Sequence, residues 1–386
     1  MELSQYFQKF FHSSKTSGVI LMLCVIASLI IANSNLGKGF QALLDTRMGT
    51  EVFHLNYTLS VWINDGLMSI FFLLVGLEIK RELVEGELSD IKKAALPIFA
   101  ALGGMVIPAL IFVAFNHSTV YKDGWAIPMA TDIAFSLAII SLLGKSVPSS
   151  LKIFLSALAI VDDLGAIIVI ALFYTDSIDW LSLAICGGIT ALLIILNKAG
   201  VTRIWFYLIP GIFLWYFMHH SGIHATIAGV ILAFTIPTNV STTEISPLEK
   251  LEQKLHIPVS FIIMPIFALA NTNITIQSQI LEHFVSPLSL GIILGLFAGK
   301  VLGINFLSFL AIRLGMAELP AFSTWKDMMG VGFLAGIGFT MSIFVSLLAF
   351  PDQTEYQGIS KISILFASVF SGAVGFFILK MKKSIR

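Results

Sequence analysis

Apolar runs long enough to cross a bilayer recur along the whole chain. A hydrocarbon core about 30 Å thick needs about 17–25 apolar residues in helical form. Twelve such stretches, several of them short, fall at 16–33, 59–79, 94–115, 125–144, 151–174, 180–197, 203–218, 222–236, 257–271, 288–311, 327–350 and 360–380. With 57% of its 386 residues hydrophobic and 12% charged, the chain has too little charge to solvate a globular surface. An all-α integral membrane protein of about twelve helices is predicted, a single transmembrane domain over 1–386 with no soluble domain left over. The first run follows a polar stretch and has no small-residue cleavage site, so it is expected to be a spanning helix and not a removed signal peptide. The longest gap, 34–58, ends in TEVFHLNYTLSV, whose near alternation predicts a short, half-exposed β-hairpin.

An even number of spans puts both termini on one side, and the basic residues test this independently. Lys38, Arg47, Lys122 and Lys361 fall on one side, Lys300 lies inside a span, and all other Lys and Arg share the side of the termini. That asymmetry places the termini in the cytoplasm. Lys plus Arg and Asp plus Glu are equal at 23 each, which argues against a nucleic-acid footprint. Cys24 and Cys186 both lie in apolar runs and behave as small buried hydrophobes, not as a disulfide framework.

Four ionisable residues sit where the membrane interior is expected: Asp132, Asp162, Asp163 and Lys300. A charge at that depth costs a few kcal/mol even on lenient scales, about 2.5–3.5 on translocon-insertion measurements, so it normally faces a protein interior or a watery cavity. A structural ion pair with Lys300 would use one acid and leave the others available. Asp162 and Asp163 are neighbours on one helix and diverge by about 100°, so they face different surroundings. A buried set of carboxylates and an amine can trade protons for a cation. Together with the hydroxyl of Thr131 it offers only oxygen ligands, which suits hard cations and not soft metals.

Two spans are punctuated by helix breakers. Pro128 precedes Thr131 and Asp132 in the fourth, and MGVGFLAGIGFTMS in the eleventh carries Gly330, Gly332, Gly336 and Gly338. Glycine is also ordinary packing material in membrane helices. Interrupted helices at corresponding places in two halves nevertheless point to a transporter's binding site. Spans three to five and ten to twelve, approximately 94–174 and 288–380, then form triplets of opposite orientation. Asp132 and Lys300 would neutralise the dipole ends exposed where the two broken helices cross at mid-membrane.

The stretches VWINDGLMSIFFLLVGLEIKREL (61–83), PMATDIAFSLAIISLLG (128–144), ALAIVDDLGAIIVIALFY (157–174), SGIHATIAGV (221–230), GKVLGI (299–304) and GFLAGIGFTMSIF (332–344) closely resemble the bacterial NhaA sodium/proton antiporter family. The likeness runs through nearly the whole chain. It implies twelve helices, an inverted repeat, and a homodimer joined through periplasmic hairpins between the first two helices. It further implies Asp163 as principal ion ligand, Asp162 as the partner of Lys300, and Asp132 with Thr131 in the same assembly. Na⁺, Li⁺ and H⁺ are the implied partners, with no cofactor, in the bacterial inner membrane.

The resemblance also implies pH sensing at the cytoplasmic mouth by Glu78, Arg81, Glu82, Glu252 and His256, and a pH response at His224. Glu78 with Glu82, and Glu252 with His256, are spaced i, i+4, so each pair shares a helix face. A solvated helix end explains the same charges, and a lone membrane histidine is commonly hydrogen-bonded to a neighbouring helix. Gln253 stands where family members often carry a histidine. Asp65, next to Asn64, is a secondary candidate.

Two other functions could use membrane carboxylates. An intramembrane aspartyl protease needs two acids converging on one water, which adjacent aspartates on one helix cannot supply, and no GxGD element is present. A passive cation channel shares the acidic cavity but has no need of a titrating lysine or paired broken helices; flux without proton exchange would identify it.

Overall fold

Helix starts are encoded locally by side chains that accept the otherwise unpaired first N–H groups. Asp90 caps Ile91–Asn116 through the Lys92 amide, and Ser286 caps the helix beginning at Pro287. Ser246 with Glu249 and Thr324 with Asp327 form reciprocal capping boxes. The computed structural model describes residues 14–175, 178–238, 245–275 and 283–381. Lys9, Lys382, Lys383 and Arg386, which contribute to the charge asymmetry, lie outside the described residues.

The helices are α1 (Ser14–Ala32), α2 (Gly37–Leu44), α3 (Leu59–Val84), α4 (Ile91–Asn116), α5 (Ile133–Leu142), α6 (Ser149–Phe173) and α7 (Trp180–Lys198). They continue with α8 (Trp205–His220), α9 (Ile227–Thr235), α10 (Pro247–Asn271), α11 (Pro287–Arg313), α12 (Trp325–Ala335), α13 (Phe339–Ala349) and α14 (Thr354–Lys380). Wider, π-type turns interrupt α3 at Trp62–Leu67, α10 at Val259–Ile263 and α11 at Gly295–Gly299. The protein is all-α. Among the described residues nine helices are long and apolar enough to cross a membrane, and α12 with α13, bent by 47° at their junction, make a tenth if counted as one span. The expected runs at 203–218 and 222–236 fold as α8 and α9, of 16 and 9 residues, short of a full crossing. The first helix is as long as its apolar run, but the second run exceeds its helix because the SGIHAT stretch forms turns before α9.

The gap after α1 also departs from expectation. It contains the eight-residue α2 and a two-residue antiparallel ladder, Arg47 with Thr58 and Met48 with Tyr57. The alternating residues between those strands form a single 3-10 turn, closed by His54 in the left-handed region (φ 51°).

The chain divides into two compact units. Unit 1 comprises residues 1–23, 87–166 and 274–386; unit 2 comprises 24–86 and 167–273. In unit 1, α4 and α11 approach so closely at Gly103 and Gly303 that a Cβ on either would fall on the other's carbonyl oxygen. Unit 2 has its own close crossing, where Gly229 of α9 lies against the Ser69 carbonyl of α3. Cys24 and Cys186 are free thiols.

Candidate functional site

Both interrupted segments lie in unit 1, and their breaks touch. In the first, a 3-10 stretch, Lys122–Met129, contains Pro128 and gives way to extended backbone from Ala130 to Asp132 before α5 begins. In the second, α12 ends at Ala335 and α13 starts at Phe339, with Gly336 and Gly338 between. A Cβ at Gly336 would collide with the Leu296 carbonyl, so the break is as narrow as glycine allows.

Each break satisfies the other's loose ends. At the end of α12, Ser136 Oγ lies 2.8 Å from the Leu334 carbonyl and Thr131 Oγ1 2.8 Å from that of Ala335, and the Ile337 carbonyl accepts from the Asp132 amide (2.7 Å). In return the Asp132 carboxylate takes the open N–H groups of two helices. Its Oδ1 accepts from the Phe135 amide of α5 (3.0 Å), and its Oδ2 from the Thr340 amide (3.1 Å) and hydroxyl (2.5 Å) of α13. One carboxyl group therefore caps the starts of two helices. Asp132 is 1% exposed and Thr340 fully buried.

Lys300 follows the wide turn of α11. Its Nζ lies 2.5 Å from Asp162 Oδ2 on α6 and donates to Thr131 Oγ1 at 2.9 Å, and all three side chains are fully buried. Thr131 in turn is 2.7 Å from Asp162 Oδ2 and 2.8 Å from the Ala335 carbonyl. A hydroxyl has one proton, so Thr131 donates to the aspartate or to the helix end, never both. Asp162 Oδ1 is buried and has no hydrogen-bond partner among the described residues, which leaves an oxygen open to a cation or a proton. Asp163, next along α6, is 2% exposed. Thr131, Asp132, Asp162 and Lys300 are thus joined through one network at the two breaks, with Asp163 beside it on α6. Among the described residues no three His, Cys, Asp or Glu side chains converge as a metal centre. The oxygens present suit a hard cation, alkali or alkaline-earth, and not a soft metal.

The expected sensing residues lie in unit 2 and are brought together only in part. Arg81 of α3 reaches Glu252 of α10 through Nε, at 3.2 and 3.0 Å from its two oxygens, and Glu82 through a terminal nitrogen at 3.0 Å. Glu78 is one turn back on α3. His256 is one turn on from Glu252 and exposed. His224 is not in a helix: it occupies the turn before α9, whereas Lys80, beside Arg81, binds the Phe234 and Ile236 carbonyls at the opposite end of α9. A nine-residue helix puts about 13 Å between those ends, so His224 is separate from the Arg81 cluster. Asp65 meets His219 of α8 at 3.5 Å, and the His219 ring is stacked on Trp215, itself stacked on Trp62.

Thr340, Ser136 and His219 are participants that inspection of the residues passes over. Thr340 carried a signal: it follows the second glycine break much as Thr131 follows Pro128.

Two broken helices meeting around a buried amine and acids, in an all-helical chain with many candidate crossings, define a multi-pass membrane protein built like a secondary transporter. A family model described as Na+/H+ antiporter 1 matches residues 8–379. The chain is 56% identical over 376 residues to a Flavobacterium johnsoniae protein named Na(+)/H(+) antiporter NhaA 2, covering 97% of this chain and 92% of that one. It is 51% identical over 383 residues to Na(+)/H(+) antiporter NhaA of Flavobacterium psychrophilum (98% and 97% covered), and 46% identical over 385 to the Escherichia coli O1:K1 / APEC protein of that name (98% of each). The chain belongs to the Na+/H+ antiporter 1 family and is a multi-pass bacterial membrane protein.

Proposed function

We propose that this chain expels Na⁺, and Li⁺ as well, from the bacterial cytoplasm in exchange for protons moving inward, acting as a secondary transporter and not as an enzyme. The observation that carries this is the fully buried Lys300–Asp162–Thr131 group at the contact of two broken helices. Names shared with relatives of about 50% identity support the same exchange.

Na⁺ and H⁺ compete for the same carboxylate oxygens. Asp163 takes them in turn, Asp162 and Thr131 supply further oxygen ligands, and Lys300 compensates Asp162 when the cation has left. Asp132 holds the breaks in register by serving both helix ends. Coupling requires that the site open to one side at a time. With more than one proton per Na⁺ the cycle draws on membrane potential.

The basic-residue asymmetry supports an inner-membrane protein with both termini cytoplasmic. The 94–174 and 288–380 segments act as inverted repeats, each carrying one break. The Glu78, Arg81, Glu82, Glu252 and His256 region, with His224 at a second place, tunes the response to pH. Two copies associate through the ladder at 47–58.

Asp163→Asn tests the assignment, because it keeps the shape and cannot ionise. Sodium-induced pH change in everted vesicles should fall to background while the protein remains in the membrane. Near-normal exchange by a well-inserted variant would sink the assignment of Asp163.

A further inference from the structure

The second half of α11 has two faces. Lys300, Ile304, Ser308 and Ala311 share one side of the helix and are buried. Leu302, Phe306 and Phe309 lie on the opposite side and are exposed. Arg313, also exposed, closes this outer stripe, which is about 60° wide. From Leu302 to Arg313 the stripe runs about 16 Å along the axis, close to one leaflet of a hydrocarbon core about 30 Å thick. An apolar wall one leaflet tall therefore ends in a cation, on the side that holds the chain termini.

The charged end is held in place by rings. The Arg313 guanidinium carbon lies 5.9 Å from the centroid of Phe309, one turn back on α11. The same ring meets Trp325, the first residue of α12, edge-on at 5.7 Å. Stacking on a ring positions a guanidinium without using its N–H donors. Among the described residues the Arg313 side chain makes no hydrogen bond or ion pair, and the Trp325 indole N–H has no acceptor. The nearby acids do not neutralise the arginine: Glu318 is exposed in the following loop, and Asp327 is engaged in capping α12. Met329, one turn past Trp325, continues the exposed apolar surface along α12. Aromatic side chains and an arginine reaching for water are ordinary at a membrane surface. Here the arginine lies over a ring with its donors free, and an indole with a free donor packs against that same ring.

We infer that the outer edge of α11 and α12 binds one anionic phospholipid, its phosphate on Arg313 and Trp325 and an acyl chain along Phe309, Phe306 and Leu302. Arginine pairs with a phosphate through two parallel N–H bonds, and the indole supplies a third donor. Exposed Lys326 adds positive charge beside the site, so an anionic headgroup is favoured over a zwitterionic one. The acyl chain covers the stripe that the protein leaves bare, which a soluble phosphate could not do. The site is on the face of α11 turned away from Lys300 and requires nothing of the ion exchange.

The test uses the full chain in nanodiscs of phosphatidylcholine with a small fraction of lipid whose acyl chains carry bromine, a contact quencher of tryptophan. The Trp325 share of the emission is the difference between wild type and Trp325→Phe. Brominated phosphatidylglycerol should quench that share several-fold more than the same fraction of brominated phosphatidylcholine, and Arg313→Gln should remove the preference. Arg313→Lys keeps the charge but loses the planar fork and should retain only part of it, whereas Lys326→Gln should retain most. In detergent, phosphatidylglycerol should raise the Tm of wild type and not of Arg313→Gln, and inorganic phosphate should raise neither. Equal quenching by the two lipids in wild type would overturn the inference, and that comparison stands even if a variant fails to insert. A loss in Lys326→Gln as large as in Arg313→Gln would overturn it too, by showing a diffuse basic surface. An equal rise in wild-type Tm with inorganic phosphate would make this a site for a free anion and overturn the lipid assignment.

Discussion

Lys300–Asp162 in unit 1 and Arg81–Glu252 in unit 2 are both cation–carboxylate pairs at hydrogen-bond distance, but they sit in different surroundings. The first has no exposure on either side chain; the second is 34% and 16% exposed. Water around the second pair screens its charges and replaces either partner cheaply. Around the first no water replaces a lost partner, so removing either residue strands the other in a dry interior.

The largest expected effect follows from breaking the dry pair. Lys300→Met leaves Asp162 without its counter-charge and should cost about 3–5 kcal/mol of stability, read as a lower Tm in detergent. Adding Asp162→Asn to Lys300→Met should restore much of that loss, although exchange stays absent. A Tm for the single variant equal to wild type would mean the pair is wetter than its burial indicates.

Asp132 gives the next effect, because its two oxygens serve two helix ends. Asp132→Asn keeps one acceptor oxygen and turns the other into a donor, so one helix end loses its cap, at a cost of about 0.5–2 kcal/mol. Thr340→Val removes one hydrogen bond from the same carboxylate and should lower Tm less than Asp132→Asn. The reverse order would place the strength of the contact in the hydroxyl.

In the wet pair, Arg81→Gln and Glu252→Gln should show a coupling of at most about 1 kcal/mol in a double-mutant cycle, shrinking further in high salt. If competition at the aspartates governs the pH response, apparent KM for Na⁺ rises as pH falls in wild type and in the Glu252→Gln/His256→Gln variant alike. If the cluster is a dedicated sensor, those substitutions shift the onset of activity instead.

Asp179 extends the comparison to a fully exposed carboxylate. It caps α7, and hydrogen bonds from the Ser182 hydroxyl and amide hold its pKa below the ordinary 3.8. Because the folded pKa is depressed, its contribution is complete above 3.8 and is lost as pH falls through the lower folded value. Hydrogen exchange at Ser182 should quicken, relative to intrinsic rates, only in that acid range. In Asp179→Asn the acid-dependent part of that change should disappear.

How much of this was legible varies with the physics of each element. The spans at 59–79, 94–115 and 151–174 lie within α3, α4 and α6, or within a residue of their ends, because a bilayer imposes length on any apolar run. The short α8 and α9 were less readable: SGIHAT is apolar enough to continue a span, and only its turns show otherwise. The expected hairpin shrank to two residue pairs because side-chain alternation alone does not supply strand partners. Asp132, Asp162, Asp163 and Lys300 were conspicuous as charges in apolar runs. Thr340 and Ser136 were not, since hydroxyls are common in helices.

The residue order alone therefore sets the solvent of each segment and the identity of the costly residues. Hydrophobicity and burial cost are properties of composition within a window of about 20 residues. Which residues meet was decided only by the tertiary structure. The contact of Lys300 with Asp162, residues 138 positions apart, depends on how α6 and α11 are rotated about their own axes, and a rotation of about 100° would exchange one aspartate for its neighbour. That azimuth is set by packing, above all where Gly103 and Gly303 let α4 and α11 touch and where the two breaks answer each other's open hydrogen bonds. No local pattern of residues encodes it.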